Sequence, residues 1–127
     1  WRMVREIFVA DTDEEAWELS VNGEMGRMMN EYFLPLLKAF GFTDFIKADA
    51  STPDDQVDAA YCAEHNWLIG SPQTVAEKIE KVYADTGGFG VLLLFGFDYL
   101  EHEPAWKRSL ELLAKDVMPR VAHLTGE

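Results

Sequence analysis

The stretch Trp67-Leu68-Ile69-Gly70-Ser71-Pro72-Gln73-Thr74-Val75-Ala76-Glu77-Lys78-Ile79 predicts a strand that turns directly into a helix. Ser71 is placed to cap this helix, because its hydroxyl can accept from a first-turn amide that has no partner within the helix. Pro72 suits the first helical position, where its missing N–H costs nothing. Apolar side chains then recur at helical spacing, at Val75, Ile79, Val82 and Tyr83. We therefore predict a helix from Pro72 to about Asp85.

A strand followed by a helix is predicted on each side of this unit as well. Arg2–Ala10 has apolar residues on both faces, and Thr12 with Glu15 forms a capping box for the next helix. Phe89–Phe95 is a continuous apolar run, and a last helix opens near Pro104. Three such units predict an α/β fold with parallel strands joined by right-handed crossovers. Both a doubly wound sheet and part of a (β/α)8 barrel satisfy this pattern, and a closed barrel needs eight strands and about 250 residues.

Residues 41–66 form the least regular part of the sequence and come just before the central strand. Segments of this length are uncommon as plain connectors and often serve as active-site lids or binding loops. As a lid, this insertion would place Phe42 and Phe45 against an apolar substrate. Packing of the insertion onto its own fold is the simpler alternative, and the sequence leaves both open.

Composition excludes several classes of function. The 127 residues suffice for one domain, and 23 acidic against 11 basic residues give a net charge of −12, which repels nucleic acids and anionic membranes. The apolar runs are too short to cross a bilayer, and no signal peptide is visible. Cys62 is the single cysteine, so no internal disulfide and no zinc site are predicted. These features favour a cytoplasmic protein.

Three motifs together resemble the C-terminal part of the bacterial luciferase-like flavin-dependent monooxygenases. They are the strand end and helix start at 9–16, the strand-turn-helix motif at 69–79 and the closing helix at 109–120. Their order and separation extend the resemblance over essentially the whole chain. Within that family, the sequence is most similar to the branch of limonene and alkane monooxygenases.

The resemblance implies a (β/α)8 barrel in which residues 1–127 form a single C-terminal part with the last three βα units, and residues 41–66 correspond to a mobile lid. Members of the family use reduced flavin, FMN or FAD, which a separate reductase supplies, and O2 to oxygenate a small apolar organic substrate. The first five strands hold most of the flavin-binding and catalytic positions. We therefore assign no catalytic residue here and expect this chain alone to bind no flavin and to be inactive.

Barrel enzymes place their functional residues after the carboxyl ends of the strands. This rule selects Gly70 and Ser71 as cofactor-binding residues, since the amino end of a helix favours an anionic group. Capping of the helix by Ser71 accounts for the same residues without a ligand. The rule also selects Phe97, Tyr99 and His102 in the last loop, which join the two insertion residues, Phe42 and Phe45, in a predicted substrate pocket. A solvated loop histidine is the plainer interpretation of His102, and no metal site is predicted.

Three strands without further partners leave free sheet edges and an uncovered apolar face. We therefore expect the chain to self-associate as a homo-oligomer. The competing hypothesis for its function is a non-catalytic α/β module that serves dimerisation or partner binding.

Overall fold

The computed structural model describes residues 1–125. Its three strands are β1 (Arg2–Val9), β2 (Leu68–Gly70) and β3 (Val91–Phe95). Its seven α-helices within these residues are α1 (Asp13–Ser20), α2 (Glu24–Met28), α3 (Leu34–Ala39), α4 (Ala59–His65), α5 (Pro72–Asp85), α6 (Glu103–Leu112) and α7 (Met118–Val121). Short 3₁₀ turns occupy Thr43–Ile46, Asp54–Gln56, Leu100–His102 and Ala122–Thr125.

The predicted caps form and set the starts of two helices. The Thr12 hydroxyl accepts from the Glu15 amide at 3.1 Å and caps α1. The Ser71 hydroxyl caps α5 by accepting from the Thr74 amide at 3.4 Å. Helix α5 ends at Asp85 as expected, because Gly87 and Gly88 follow in the left-handed region.

Two helical segments continue through a proline. Pro35 lies at the start of α3 and Pro119 at the start of α7. Each proline follows a π-helical turn, Met29–Phe33 in the first case and Leu113–Val117 in the second. A proline removes one amide donor from the helix, and the wider turn before it accommodates the carbonyl that loses its partner.

The sheet is parallel, as predicted, with β1 in the middle and the order β2-β1-β3. The carboxyl half of β1 pairs with β2, with Ile7 opposite Leu68, and its amino half pairs with β3, with Arg5 opposite Leu94. A chain that crosses from β1 to one side and then back past it places its crossover helices on opposite faces. This order is that of a doubly wound sheet, whereas consecutive strands of a barrel lie side by side in sequence order.

Two apolar clusters cover the two faces of the sheet. Phe8 and Ile69 pack with helices α1 to α4, in a cluster that includes Ala16, Met25, Met29, Leu34, Cys62 and Ala63. Ile7 and Val9 pack with α5 and the last helices, in a cluster that includes Leu68, Val75, Ala76, Ile79, Leu112 and Val117. The side chains of β1 alternate between these clusters, which is why its sequence is apolar on both faces.

The second half of the 41–66 insertion belongs to the core. Val57, Ala59 and Cys62 are at most 2% exposed. The Asn30 side chain accepts from the Ala59 amide at 2.8 Å, and this contact ties α4 to the π-helical turn that follows α2. The first half lies further out, where Phe45 is 84% exposed.

Within residues 1–125, no helix is long and apolar enough to cross a membrane.

Candidate functional site

The carboxyl edge of the sheet joins the loop after β1 to the turn after β2. The Ser71 amide donates to the Asp13 carboxylate at 2.7 Å, across 58 residues of sequence. This hydrogen bond, with contributions from the Thr74 and Ser71 side chains and from the charge of Lys78, holds the pKa of Asp13 below its usual range. The amino end of α5 thus already faces a negative charge that belongs to the chain.

Gly70 allows this close approach. Its φ of +145° lies in a region that side-chain-bearing residues rarely adopt. A Cβ atom at this position would lie 2.7 Å from the Asp13 carboxylate oxygen and 2.7 Å from the Thr74 methyl carbon. The glycine is therefore needed for contact between parts of the chain itself.

Helix α6 closes the other side of the same edge. The Ser109 hydroxyl accepts from the Val9 amide at 2.8 Å, and both residues are buried. Arg108 donates to the Asp11 carboxylate at 2.8 Å, which lowers the pKa of Asp11. Since β3 pairs with β1 only as far as Glu6, α6 takes over the contacts of β1 beyond that point.

Two of the predicted pocket residues lie in one aromatic cluster after β3. Tyr99 is 5% exposed and stacks on Trp106 with ring centroids 4.3 Å apart. Phe97 packs against Phe95 at 5.2 Å and against Tyr99 at 6.4 Å. The Tyr99 hydroxyl has no hydrogen-bond partner among the described residues. Burial, together with the charge of Glu6, raises the pKa of this phenol.

A cavity of about 380 Å³ adjoins this cluster, on the face of β1 that carries Glu6. Apolar and aromatic side chains form most of its wall, among them Met29, Phe33, Leu37, Phe45, Trp67 and Phe95. Glu6 and Asn66 contribute polar groups. A mostly apolar cavity of this size with few polar groups is typical of sites for small organic molecules.

Glu6 is the acidic residue in the wall of this cavity. Burial raises the pKa of its carboxyl, against the opposing effects of a hydrogen bond from its own backbone amide and of the charge of Arg5. Cys62 also lines the cavity, and burial raises the pKa of its thiol to about 11. The thiol is therefore protonated at neutral pH and is a poor nucleophile.

The structure does not bring all five predicted pocket residues together. Phe45 lines the cavity, and the ring of Phe42 packs against the ring of Phe45 with centroids 5.8 Å apart. Phe97 and Tyr99 lie in the separate cluster after β3. His102 is exposed, and its amide donates to the Tyr99 carbonyl at 2.8 Å. The pocket assignment as a whole stays a prediction.

Two residues of this region were not found by sequence reasoning. Asp13 lies in the first turn of α1, where acidic residues are favourable, and nothing local in the sequence indicates a partner 58 positions away. Glu6 lies in a strand that also carries Arg2 and Arg5, and an acidic residue so close to the buried run of residues 7–10 is the signal that the sequence offers. No group of metal-ligating side chains occurs in the part of the chain that the structure describes.

Known proteins similar to this chain were found by sequence and by structure. It is 36% identical over 115 residues to 3,6-diketocamphane 1,6-monooxygenase of Pseudomonas putida, covering 91% of this chain and 30% of the relative. It is 38% identical over 123 residues to 2,5-diketocamphane 1,2-monooxygenase 1 of the same species, covering 95% and 34%. A third relative, 4-hydroxyprotoasukamycin monooxygenase of Streptomyces nodosus subsp. asukaensis, is 34% identical over 94% of this chain and 30% of its own length. No protein-family model matches.

A solved structure shares the arrangement. The oxygenating constituent of 3,6-diketocamphane monooxygenase from Pseudomonas putida, a type II Baeyer-Villiger monooxygenase in complex with FMN, aligns with a TM-score of 0.86 and 35% identity. Over nearly its whole length, the chain is homologous to one part of the luciferase-like flavin-dependent monooxygenases. The alignment covers 94% of this chain and 33% of that structure, so the chain spans about one third of the length of its relatives. The resemblance seen in the sequence is thereby confirmed, and the limonene and alkane branch stays a prediction.

Proposed function

We propose that this chain is one part of a flavin-dependent monooxygenase that uses reduced flavin and O2 to oxygenate a small apolar organic substrate. The observation that carries the proposal is the match, at a TM-score of 0.86 and 35% identity, to an oxygenating subunit that binds FMN. Two relatives are named diketocamphane monooxygenases, so a small apolar ketone is the substrate class to test first.

Residues of this chain would supply part of the substrate wall. The cavity beside Glu6 offers about 380 Å³, which is within the range of pockets for small organic molecules. Phe33 and Phe95 join its wall to the aromatic cluster of Phe97 and Tyr99. Such aromatic surfaces would bind an apolar substrate and exclude water from the reaction.

Most of the flavin-binding residues would lie outside these 127 residues, in the longer protein of which we propose this chain is a part. Reduced flavin, FMN or FAD, supplies the electrons that activate O2, and a separate flavin reductase is the partner expected to provide it. The chain spans only 30% to 34% of its relatives, so we expect no tight flavin binding and no activity from these 127 residues alone. A cytoplasmic location stays a prediction that rests on the single, buried cysteine Cys62.

The test compares the longer protein with the 127-residue chain. The longer protein, supplied with a flavin reductase, NADH and FMN, should incorporate one atom of ¹⁸O from ¹⁸O2 into a bicyclic ketone, as measured by mass spectrometry. The 127-residue chain should leave flavin fluorescence unchanged in a titration with FMN. A longer protein that binds no flavin and incorporates no ¹⁸O would overturn the proposal in favour of a non-catalytic module.

We further propose that the three βα units join more strands in a closed (β/α)8 barrel in the longer protein. Two observations support this: β2 and β3 each have one edge without a strand neighbour within residues 1–125, and Val4, Val91 and Leu93 stay exposed on one face of the sheet beyond the apolar cluster that covers the rest of it. Sequence order around a barrel would require β3 to pair with β2, whereas in this chain it pairs with β1.

An engineered disulfide distinguishes the two strand orders. Arg5 and Leu94 are directly opposite in the β1–β3 register, so Arg5→Cys with Leu94→Cys should crosslink in the 127-residue chain, in a Cys62→Ser background. The same pair should remain reduced in the longer protein if its strands follow barrel order. Crosslinking in the longer protein would contradict the barrel.

Within the 41–66 insertion, we propose that the outer first half acts as a lid over the substrate, while the second half is held in the core. The exposed rings of Phe42 and Phe45 support this, since the second of them already borders the cavity. Limited proteolysis of the longer protein should cut within this segment more slowly when a substrate ketone is present. Equal rates of cleavage would count against a lid.

The alternative function, a non-catalytic module that dimerises, is favoured by one surface. Val4, Val91, Leu93 and Phe95 are between 38% and 48% exposed and share one face of β1 and β3. Contiguous apolar surface of this kind marks an interaction site. We propose that a second copy of the chain covers it when the chain is isolated.

Light scattering tests the self-association. Leu93→Gln should shift the isolated chain from dimer toward monomer, because it places a polar amide in the centre of this face. Leu100→Gln is the matched control, since Leu100 is 79% exposed in the 3₁₀ turn that follows β3. A wild-type chain that is monomeric at all concentrations would exclude the dimer.

A further inference from the structure

The amino end of α5 is the feature of this fold that most resembles a phosphate site, because it follows the carboxyl end of a parallel strand and carries a Gly-Ser-Pro turn. The flavin of the proposed function carries a phosphate group. Whether these residues fit that group depends on which amide donors and how much space the turn leaves.

Most backbone amides of the turn already donate hydrogen bonds within the protein. The Ser71 amide donates to Asp13 at 2.7 Å, and Pro72 has no amide hydrogen. The Thr74 amide donates to the Ser71 hydroxyl, which in turn donates to the Thr74 side-chain oxygen at 3.2 Å. In the first turn, this leaves the amide of Gln73 as the donor for an incoming anion.

The space beside the turn is also filled. At Gly70, the position of a Cβ atom is 2.7 Å from the Asp13 carboxylate and 2.7 Å from the Thr74 methyl. A phosphate-binding glycine leaves this side open for the ligand. Here the same side is occupied by side chains of the protein.

The local charge opposes a second anion. Asp13 is followed by Glu14 and Glu15, whereas the charge of Asp11 is already paired with Arg108. The positive charge of Lys78 already acts on the Asp13 carboxylate, and its ammonium group also donates to the Ile69 carbonyl at 3.1 Å. A phosphate dianion at the turn would therefore meet a carboxylate within the distance of a hydrogen bond.

We propose that the carboxylate of Asp13 is the resident anion of the amino end of α5, so that Gly70 and Ser71 do not hold the flavin phosphate and another part of the longer protein does. This inference rests on the proposed function for the identity of the phosphate, but the role of Asp13 does not. The carboxylate also lies at the amino end of its own helix, α1, so it serves two helix dipoles at once.

Amide NMR of the 127-residue chain tests the contact directly. The Ser71 amide proton should resonate far downfield in the wild type, as a short hydrogen bond to a carboxylate requires. Asp13→Ala should move it upfield, and Asp13→Asn should move it less because the amide oxygen still accepts. Asp11→Asn is the control, since Asp11 bonds Arg108 and should leave the Ser71 signal in place.

Titration with inorganic phosphate, and separately with FMN, completes the test. Saturable shifts of the Ser71 or Thr74 amide in the wild type would overturn the proposal, and so would an unchanged Ser71 signal in both Asp13 variants. Should Asp13→Ala fail to fold, Asp13→Asn and the phosphate titration still decide. These readouts need no turnover, so they are independent of the ¹⁸O experiment that tests the proposed function.

Discussion

The hydroxyl of Ser109 in α6 accepts a hydrogen bond from the amide of Val9 at 2.8 Å, and the two residues are 100 positions apart. Val9 lies beyond the last residue of β1 that pairs with β3, so its amide would otherwise face the sheet edge without a strand partner. Both residues are at most 1% exposed, so the contact is shielded from solvent. A side chain of the last helix thus completes the hydrogen bonding of the central strand.

Ser109→Ala should therefore destabilise the chain by about 1 to 3 kcal/mol, because it leaves a buried amide without an acceptor. The measurement is urea unfolding followed by circular dichroism. Ser20→Ala is the matched control: Ser20 is equally buried, but its hydroxyl only donates to the Ala16 carbonyl within the same helix. An equal loss in both variants would show that the Val9 contact contributes nothing specific.

Gly70→Ala should destabilise the chain by more than about 2 kcal/mol, since an unfavourable φ adds to a collision with Asp13 and Thr74. Gly87→Ala separates the two causes, because Gly87 also has positive φ but nothing within 4 Å of its Cβ position. That control should cost about 1 to 2 kcal/mol. Thermal unfolding of the two variants gives the comparison, and equal shifts of Tm would contradict the collision.

Local signals in the sequence predicted the elements well. The bounds of α5 follow from Ser71, Pro72 and Gly87, all within one turn of the helix ends they determine. The predicted cap of α1 by the Thr12 hydroxyl likewise forms. Interactions of this kind depend on residues three or four positions apart, and a sequence displays them directly.

Contacts across long separations could not be predicted in the same way. The position of β3 beside β1 depends on which edge of the central strand is free, and βα units of either architecture have the same sequence pattern. Asp13 fits the start of α1 whether or not it reaches Ser71. The sequence therefore predicts cofactor binding at the amino end of α5 and gives no sign of the Asp13 carboxylate that the Ser71 amide contacts there.

Tyr99→Phe should leave stability unchanged or raise it by up to about 1 kcal/mol, because the buried hydroxyl has no partner among residues 1–125. The stacking on Trp106 does not need the hydroxyl. Tyr61→Phe is the contrasting variant, since the Tyr61 hydroxyl accepts from the Ala48 amide at 2.8 Å and its loss should cost about 1 kcal/mol. Urea unfolding of both variants tests this, and a large loss in Tyr99→Phe would indicate a partner for its hydroxyl.

Glu6→Gln should stabilise the chain at neutral pH, and the gain should depend on pH in a defined direction. Burial raises the pKa of Glu6 in the folded chain above the ordinary value of 4.5. A carboxyl whose folded pKa is raised costs stability at every pH above that pKa, where folding must bury a charge that the unfolded chain solvates. The cost decreases as the pH falls through the raised pKa, and it disappears below 4.5, where both states are protonated.

The free energy of unfolding of wild type and Glu6→Gln, measured by urea titration between pH 4 and pH 8, should therefore diverge as the pH rises. Glu101→Gln removes the same charge from an exposed 3₁₀ turn and controls for the lower net charge of the variant. A constant difference across this range, or an equal gain in the control, would refute the buried cost at Glu6. In the longer protein, a cationic or hydrogen-bonding group beside Glu6 would reverse the sign, because the carboxylate would then be stabilised by its partner. Repeating the pH series there thus reports whether another segment covers the cavity wall that this carboxyl occupies.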